Sequence, residues 1–253
     1  MHNSGDFRGK FGIVTGAASG IGRATALHMA RLGAGVAMVD VAEELLRSVA
    51  QELDVAAVPP LVLPADVVSD EQVDRMVRAT LDAFGRIDFL VTCAGIVRRT
   101  TFPELPPSEW DLVMAVNLRG PYLCCRSVVP AMIRQGKGVI VNVASLAGRS
   151  TSVLGGAHYT ASKHGVIGLS RHIARELGPY GVRVNAFCPG GTLTPMVEQS
   201  SMPEEREANA ARWPLRRWSA PEEQARVIAF LLSDDSGFIT GACIDSNGGA
   251  LMV

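Results

Sequence analysis

The chain has 253 residues, 47% apolar and 19% charged, with a formal net charge of −1. That balance excludes a global field drawing in nucleic acid or an anionic membrane, and the length can bury a core without disulfides or metals. Five cysteines (Cys93, Cys124, Cys125, Cys188, Cys243) form no C-x-x-C pair and the histidines show no ligand spacing, so reduced thiols and no metal are expected.

The opening decapeptide, MHNSGDFRGK, lacks the apolar segment of a signal peptide, and no apolar run reaches the roughly 18 residues of a membrane span. A soluble, cytoplasmic protein is expected. The first predicted strand, 11–16, runs into Gly16-x-x-x-Gly20-x-Gly22, and a helix is predicted over 20–33. Glycines there permit a tight turn and let backbone amides approach a pyrophosphate, while the helix N-terminus supplies unpaired N–H groups. The second strand, 35–40, ends in Asp40, 24 residues after Gly16. A carboxylate at that point binds both ribose hydroxyls and repels the extra phosphate of NADP. Ala17, Ala18, Ser19 and Val41 offer no basic side chain to receive that phosphate, so the choice points to NAD(H).

A helix over 42–53 and a strand over 60–66 follow, the latter ending in Asp66, which caps a turn or reaches the adenine amino group. Helix 69–84, strand 87–95, helix 107–135, strand 138–145, helix 157–178 and strand 182–190 continue the alternation. Helix 221–233 and a weaker strand, 241–249, close it. The strands read as continuous apolar runs, as in a parallel sheet covered on both faces. This predicts an α/β fold: one domain over 1–253, with a doubly wound, seven-stranded parallel sheet flanked by helices. The stretch 192–220 breaks the pattern with Pro195, Pro203 and Pro214 and is expected to be a substrate lid.

Near the start of helix 157–178, Tyr159 and Lys163 stand four residues apart, on one helical face. With TGAASGIG (15–22), Asp66-Val67, CAG (93–95), Asn117, Ser145, YTASK (159–163) and PGGTLTPM (189–196), this ordered set resembles the short-chain dehydrogenase/reductase family over essentially the whole chain. The resemblance implies a Rossmann fold, a homotetramer and an Asn117–Ser145–Tyr159–Lys163 active site. Tyr159 would act as acid/base, favoured as a phenolate by Lys163 and the nicotinamide charge. Ser145 would donate to the substrate oxygen, and Asn117 would order a water behind Lys163. NAD would be held by Gly16, Ser19, Gly20, Ile21, Gly22, Asp40, Asp66, Val67, Ala94, Gly95, Pro189, Gly190, Thr192 and Thr194, with Tyr159 and Lys163. Two departures stand out: Cys93 where the family has asparagine, expected to weaken local polar pairing, and Asn247 where many members have aspartate.

For the substrate, Arg98 and its neighbour Arg99 follow the fourth strand, where an arginine would pair with a carboxylate. AGIVRR (94–99) resembles the matching stretch of some sugar-acid dehydrogenases of the family. Arg149, His158 and Trp213 are further candidates for the pocket rim. The expected activity is NAD-dependent interconversion of a secondary alcohol and ketone, or hemiacetal and lactone, on a small polar molecule such as a sugar or sugar acid. The alternative is a 3-oxoacyl-[acyl-carrier-protein] reductase-like ketoreductase, whose usual NADP preference conflicts with Asp40. A catalytically silent NAD-binding protein, or a lyase or epimerase, fits less well with the intact four-residue set.

Overall fold

A computed structural model describes residues 5–53 and 58–253; the first four residues of the opening decapeptide lie outside it. Seven parallel strands form one sheet in the order β3-β2-β1-β4-β5-β6-β7. They are β1 (Phe11–Thr15), β2 (Gly35–Asp40), β3 (Leu61–Pro64), β4 (Phe89–Thr92), β5 (Gly138–Val143), β6 (Val182–Pro189) and β7 (Cys243–Ser246). The helices are α1 (Gly20–Arg31), α2 (Glu43–Gln51), α3 (Asp70–Phe84), α4 (Pro107–Met114), α5 (Gly120–Gln135), α6 (Ala157–Leu177), α7 (Pro195–Ser200), α8 (Pro203–Ala210) and α9 (Pro221–Leu232).

Alternation along each strand sends neighbouring side chains into two separate cores. Val14, Met38, Phe89, Val91 and Val141 pack on one face with Leu27 of α1, Leu46 of α2 and Ile228 of α9. Ile13, Val39, Leu90, Ile140 and Val184 pack on the other with Met76 of α3, Val128 of α5 and Leu177 of α6. Burying each large aliphatic side chain contributes about 1.5–3 kcal/mol, which explains why these strands carry no polar alternation.

The chain leaves β1 outward to β2 and β3, then returns to β4 on β1's other edge. That reversal opens a crevice beyond the strands' carboxyl ends, where ligands bind in such sheets. Two expectations change in detail. The helix foreseen at 107–135 is broken: α4 passes through a π-helical turn, Ala115–Arg119, before α5 begins. That turn carries Asn117, fully buried, against Ile96 in the loop after β4. The last strand shrinks to four residues because the glycines at 248 and 249 take positive φ angles and turn the chain away.

No helix among the described residues is long and apolar enough to cross a membrane. The 192–220 stretch holds two short helices, α7 and α8. Its base is tied by Leu193 donating to the Ser219 carbonyl (2.9 Å) and Ser219 to that of Gly191 (2.9 Å).

Candidate active site

The crevice is an open cleft of about 680 Å³. Its floor is the glycine turn. Gly16 (φ +69°) and Gly20 (φ +54°) both adopt the left-handed region. A Cβ at Gly16 would stand 2.7 Å from the Ala94 amide nitrogen, and one at Gly22 only 2.1 Å from the Gly16 carbonyl oxygen. These positions therefore admit only glycine, and the backbone lies open to a ligand. Ser19 starts α1 without a side-chain cap bond, so the helix presents its dipole and amides to the cleft. This cradle fits a pyrophosphate. Gly22→Ala is expected to cost roughly 1–3 kcal/mol by overpacking and to remove the thermal upshift expected when a nicotinamide dinucleotide binds the wild type; melting curves with and without NAD and NADP test it.

At the outer end, one Asp40 oxygen accepts from Ala18 N (3.1 Å) and the other from Ala42 N (3.0 Å). The carboxylate is thus fixed beside the turn with lone pairs left for a ribose. Asp66 fills one of its two foreseen roles: its Oδ1 accepts from Val68 N at 3.0 Å, and the residue also lines the cleft. At Cys93, the loss of polar pairing expected without asparagine is made up by Thr15, whose hydroxyl accepts from both Cys93 N and Ala94 N (3.2 Å each). Burial pushes the Cys93 thiol up to about 12, the Lys163 charge opposing it, so the thiol is inert.

Tyr159 and Lys163 rise from the first two turns of α6. Lys163 Nζ is buried, donates to the Val143 carbonyl at 2.9 Å, and lies 5.8 Å from the Tyr159 ring centroid. Burial lowers its pKa from 10.5 to about 8. Burial also raises the Tyr159 phenol, and a hydrogen bond with Ser145 pulls it back down. Burial thus works against a phenolate, and a further positive charge in the cleft would favour it. Ser145, past the end of β5, accepts from Ala147 N at 3.0 Å, which fixes its hydroxyl. Asn117 lies behind this wall. It accepts from Ile96 N (2.8 Å) and donates to Ile96 O (2.9 Å), clamping the chain after β4. A Cβ on Gly95 would come within 3.3 Å of Asn117 Oδ1 and 3.7 Å of Lys163 Nζ, so glycine keeps that space open.

The cleft wall carries every candidate from the glycine turn, Asp40, Asp66, Val67, Ala94, Gly95, Ser145, Tyr159, Lys163, Pro189, Gly190, Thr192, Thr194 and Trp213. Three substrate candidates stand elsewhere. Arg98 is exposed and donates to the Val97 carbonyl (3.0 Å), pointing its charge along its own loop. Arg149 is drawn to Asp245 of β7 at 3.3 Å. His158 is wholly buried, with Nε2 3.1 Å from Glu109 of α4 and Nδ1 unpartnered. Arg99 grips the excursion instead, donating to Glu205 Oε1 (2.7 Å) and Oε2 (2.9 Å). Sequence reasoning missed Leu154, Val197, Trp218 and Leu251, which also line the cleft. The available signal was two of three tryptophans, Trp213 and Trp218, falling in a polar, proline-rich excursion.

A nucleotide cradle at a sheet switch point, beside a tyrosine and a buried lysine, is the layout of an oxidoreductase that uses a nicotinamide dinucleotide. Sequence comparison narrows this: the chain belongs to the short-chain dehydrogenase/reductase family. Residues 16–250 match the family model described as enoyl-(acyl carrier protein) reductase. A 3-oxoacyl-[acyl-carrier-protein] reductase of Thermotoga maritima is 42% identical over 247 residues, 96% of this chain and 98% of that one. Levodione reductase of Leifsonia aquatica is 40% identical, over 94% and 92% of the two chains. Among solved structures, a short-chain type dehydrogenase/reductase from Mycobacterium marinum superposes with a TM-score of 0.94 at 32% identity, covering 99% of both chains.

Proposed function

We propose that this protein is an NAD(H)-dependent dehydrogenase/reductase that interconverts a secondary alcohol and a ketone. The observation that carries the reading is one cleft wall holding the cradle, Asp40, Ser145, Tyr159 and Lys163 together. Bound nicotinamide supplies or accepts the hydride and, when oxidised, the extra positive charge. The Tyr159 phenol gives a proton to the carbonyl oxygen in reduction, or takes it from the alcohol in oxidation. The Ser145 hydroxyl donates to the same oxygen as charge develops. Lys163 holds the nicotinamide ribose and favours the phenolate, while Asn117 fixes Gly95 and Ile96 beside it. Thr194 accepts from Val197 N (3.4 Å) and keeps its own O–H for the carboxamide.

The chain acts as one domain, with 192–220 as a lid latched by Arg99 and Glu205. Exposed Leu112 and Tyr122 on α4 and α5 support the homotetramer that the resemblance implies, in a cytoplasmic protein. A sugar acid loses its support, because Arg98 and Arg149 stand off the cleft wall and Lys163 is the sole cation among the described residues lining it. The second reading, a 3-oxoacyl-[acyl-carrier-protein] reductase-like ketoreductase, is favoured by the 42% identity with such an enzyme. The deciding experiment follows absorbance at 340 nm while NADH or NADPH meets sugars, cyclic and aryl ketones and a 3-oxoacyl thioester. NADH-linked reduction of a ketone is expected. NADPH-only turnover of the thioester would establish the second reading, and no turnover with NADH bound would sink both.

A further inference from the structure

Beyond Ser145 and Tyr159 the cleft changes character. Its wall there is Leu154, Met196, Val197, Trp213, Trp218 and Leu251, drawn from separate parts of the chain. Leu154 precedes Gly155, where a Cβ would stand 2.8 Å from Tyr159 Cβ and Cγ, so the backbone beside Leu154 packs on the base of the tyrosine side chain. Trp213 also lines the cleft. Its ring lies against the backbone after β6: a Cβ on Gly191 would be 2.0 Å from Trp213 Cη2. Trp218 meets it edge to face, with centroids 4.9 Å apart. The chain end closes the side, with Leu215 N donating to the Gly248 carbonyl at 3.1 Å and the site of a Gly249 Cβ 2.7 Å from Pro214.

Several polar groups around this wall are engaged internally. Trp218 Nε1 donates to the Arg206 carbonyl (2.9 Å), the Ser200 hydroxyl to the Val197 carbonyl (3.3 Å), and the Ser152 hydroxyl accepts from Gly155 N (2.7 Å). Charge is absent too. The charged side chains on the cleft wall, among the described residues, are Asp40, Asp66 and Lys163, all on the dinucleotide side. Two arginines of the excursion are engaged elsewhere: Arg206 donates to the Ser201 carbonyl (2.5 Å) and Arg217 to Glu223 (2.7 Å), and no arginine lines the cleft among the described residues. A carboxylate or phosphate entering the chamber would lose its water and gain no cation to pair with. A flat apolar ring would lose little and stack on indole.

We propose that the substrate is a neutral cyclic or aryl ketone, or its alcohol, and that Trp213 is the residue that selects it. This rests on the oxidoreductase reading above, deepening it to a substrate class. The test uses acetophenone against 4-acetylbenzoate, with wild type, Trp213→Phe and Trp213→Ala, folding checked by circular dichroism. Two readouts run in parallel: NADH-linked turnover, and calorimetric binding of each probe to the NADH complex. Expected are a hundredfold or greater preference for acetophenone in both, and a 10- to 100-fold rise in KM and Kd in Trp213→Ala. Trp213→Phe should recover most of it, with kcat and NADH affinity nearly unchanged. Equal use of the carboxylate, or no loss in Trp213→Ala, overturns the proposal while leaving the oxidoreductase reading intact. Trp213-dependent binding of acetophenone without any turnover has the reverse meaning: the chamber assignment stands and the redox reading fails.

Discussion

Tyr159→Phe is expected to lower kcat by about 10²–10⁴-fold, the range that a positioned acid/base contributes, with folding and NAD affinity nearly unchanged. The phenol oxygen is the group with a proton to exchange that sits beside Ser145 on the cleft wall. Phenylalanine keeps the ring that Gly155 packs against and the face that Lys163 overlies, so loss of rate separates from loss of structure. Burial raises the Tyr159 pKa, so the phenolate depends on positive charge. The Lys163 ammonium, 5.8 Å from the ring centroid, favours a phenolate. Lys163, however, carries that charge only below its lowered pKa of about 8. The sign is therefore fixed: in the free enzyme the ammonium is present below about pH 8 and lost above it. The kcat/KM for NAD should decline above about pH 8, and Lys163→Arg, which stays charged, should move the decline beyond pH 10. Initial rates across pH 6–10.5 check both. Near-normal turnover in Tyr159→Phe would refute the acid/base assignment.

The reacting end of this site was legible in the sequence because its parts are local. The glycine turn, Asp40 at a strand end and the Tyr159–Lys163 pair each sit within one element or one junction, where backbone chemistry dictates residue type. The substrate end was not. Trp213 was foreseen at the pocket rim and lines the cleft, but Leu154, Trp218 and Leu251 join it there from separate parts of the chain, and no periodicity encodes that. Arg98, Arg149 and His158 were misplaced for a related reason. Proximity in sequence to Ser145, Tyr159 or a strand end sets a position, but long-range partners set where the charge points: Asp245 for Arg149, Glu109 for His158 and, 106 residues away, Glu205 for Arg99. The break at Asn117 was hidden as well. A π-helical turn adds one residue inside an otherwise regular apolar pattern, and the helix over 107–135 reads as continuous until the buried amide of Asn117 is seen clamped to Ile96.

Changing Asp40 should invert the choice of dinucleotide. Its two oxygens are held by the Ala18 and Ala42 amides beside the glycine turn, and in the proposed NAD complex they would face the ribose 2′ position. Two like charges about 4 Å apart repel by roughly 4 kcal/mol at an effective dielectric of 20, and each 1.4 kcal/mol is a tenfold change in affinity. Wild type should therefore favour NAD over NADP by about 10³. Asp40→Asn keeps the shape and one of the two acceptors while removing the charge, so most of that discrimination should vanish, with a fall in melting temperature from the one backbone hydrogen bond lost, about 1 kcal/mol. Adding Val41→Arg supplies the missing cation from an exposed position next to the same turn, and the double variant should prefer NADP. Calorimetric titration of both dinucleotides into the three proteins reads the result directly. Tighter NADP binding by the wild type would remove the basis for reading Asp40 as a selector, and would shift weight to the 3-oxoacyl-thioester reading. Unchanged discrimination in Asp40→Asn would mean instead that the shape of the turn at Ala17–Ser19, rather than charge, excludes the phosphate.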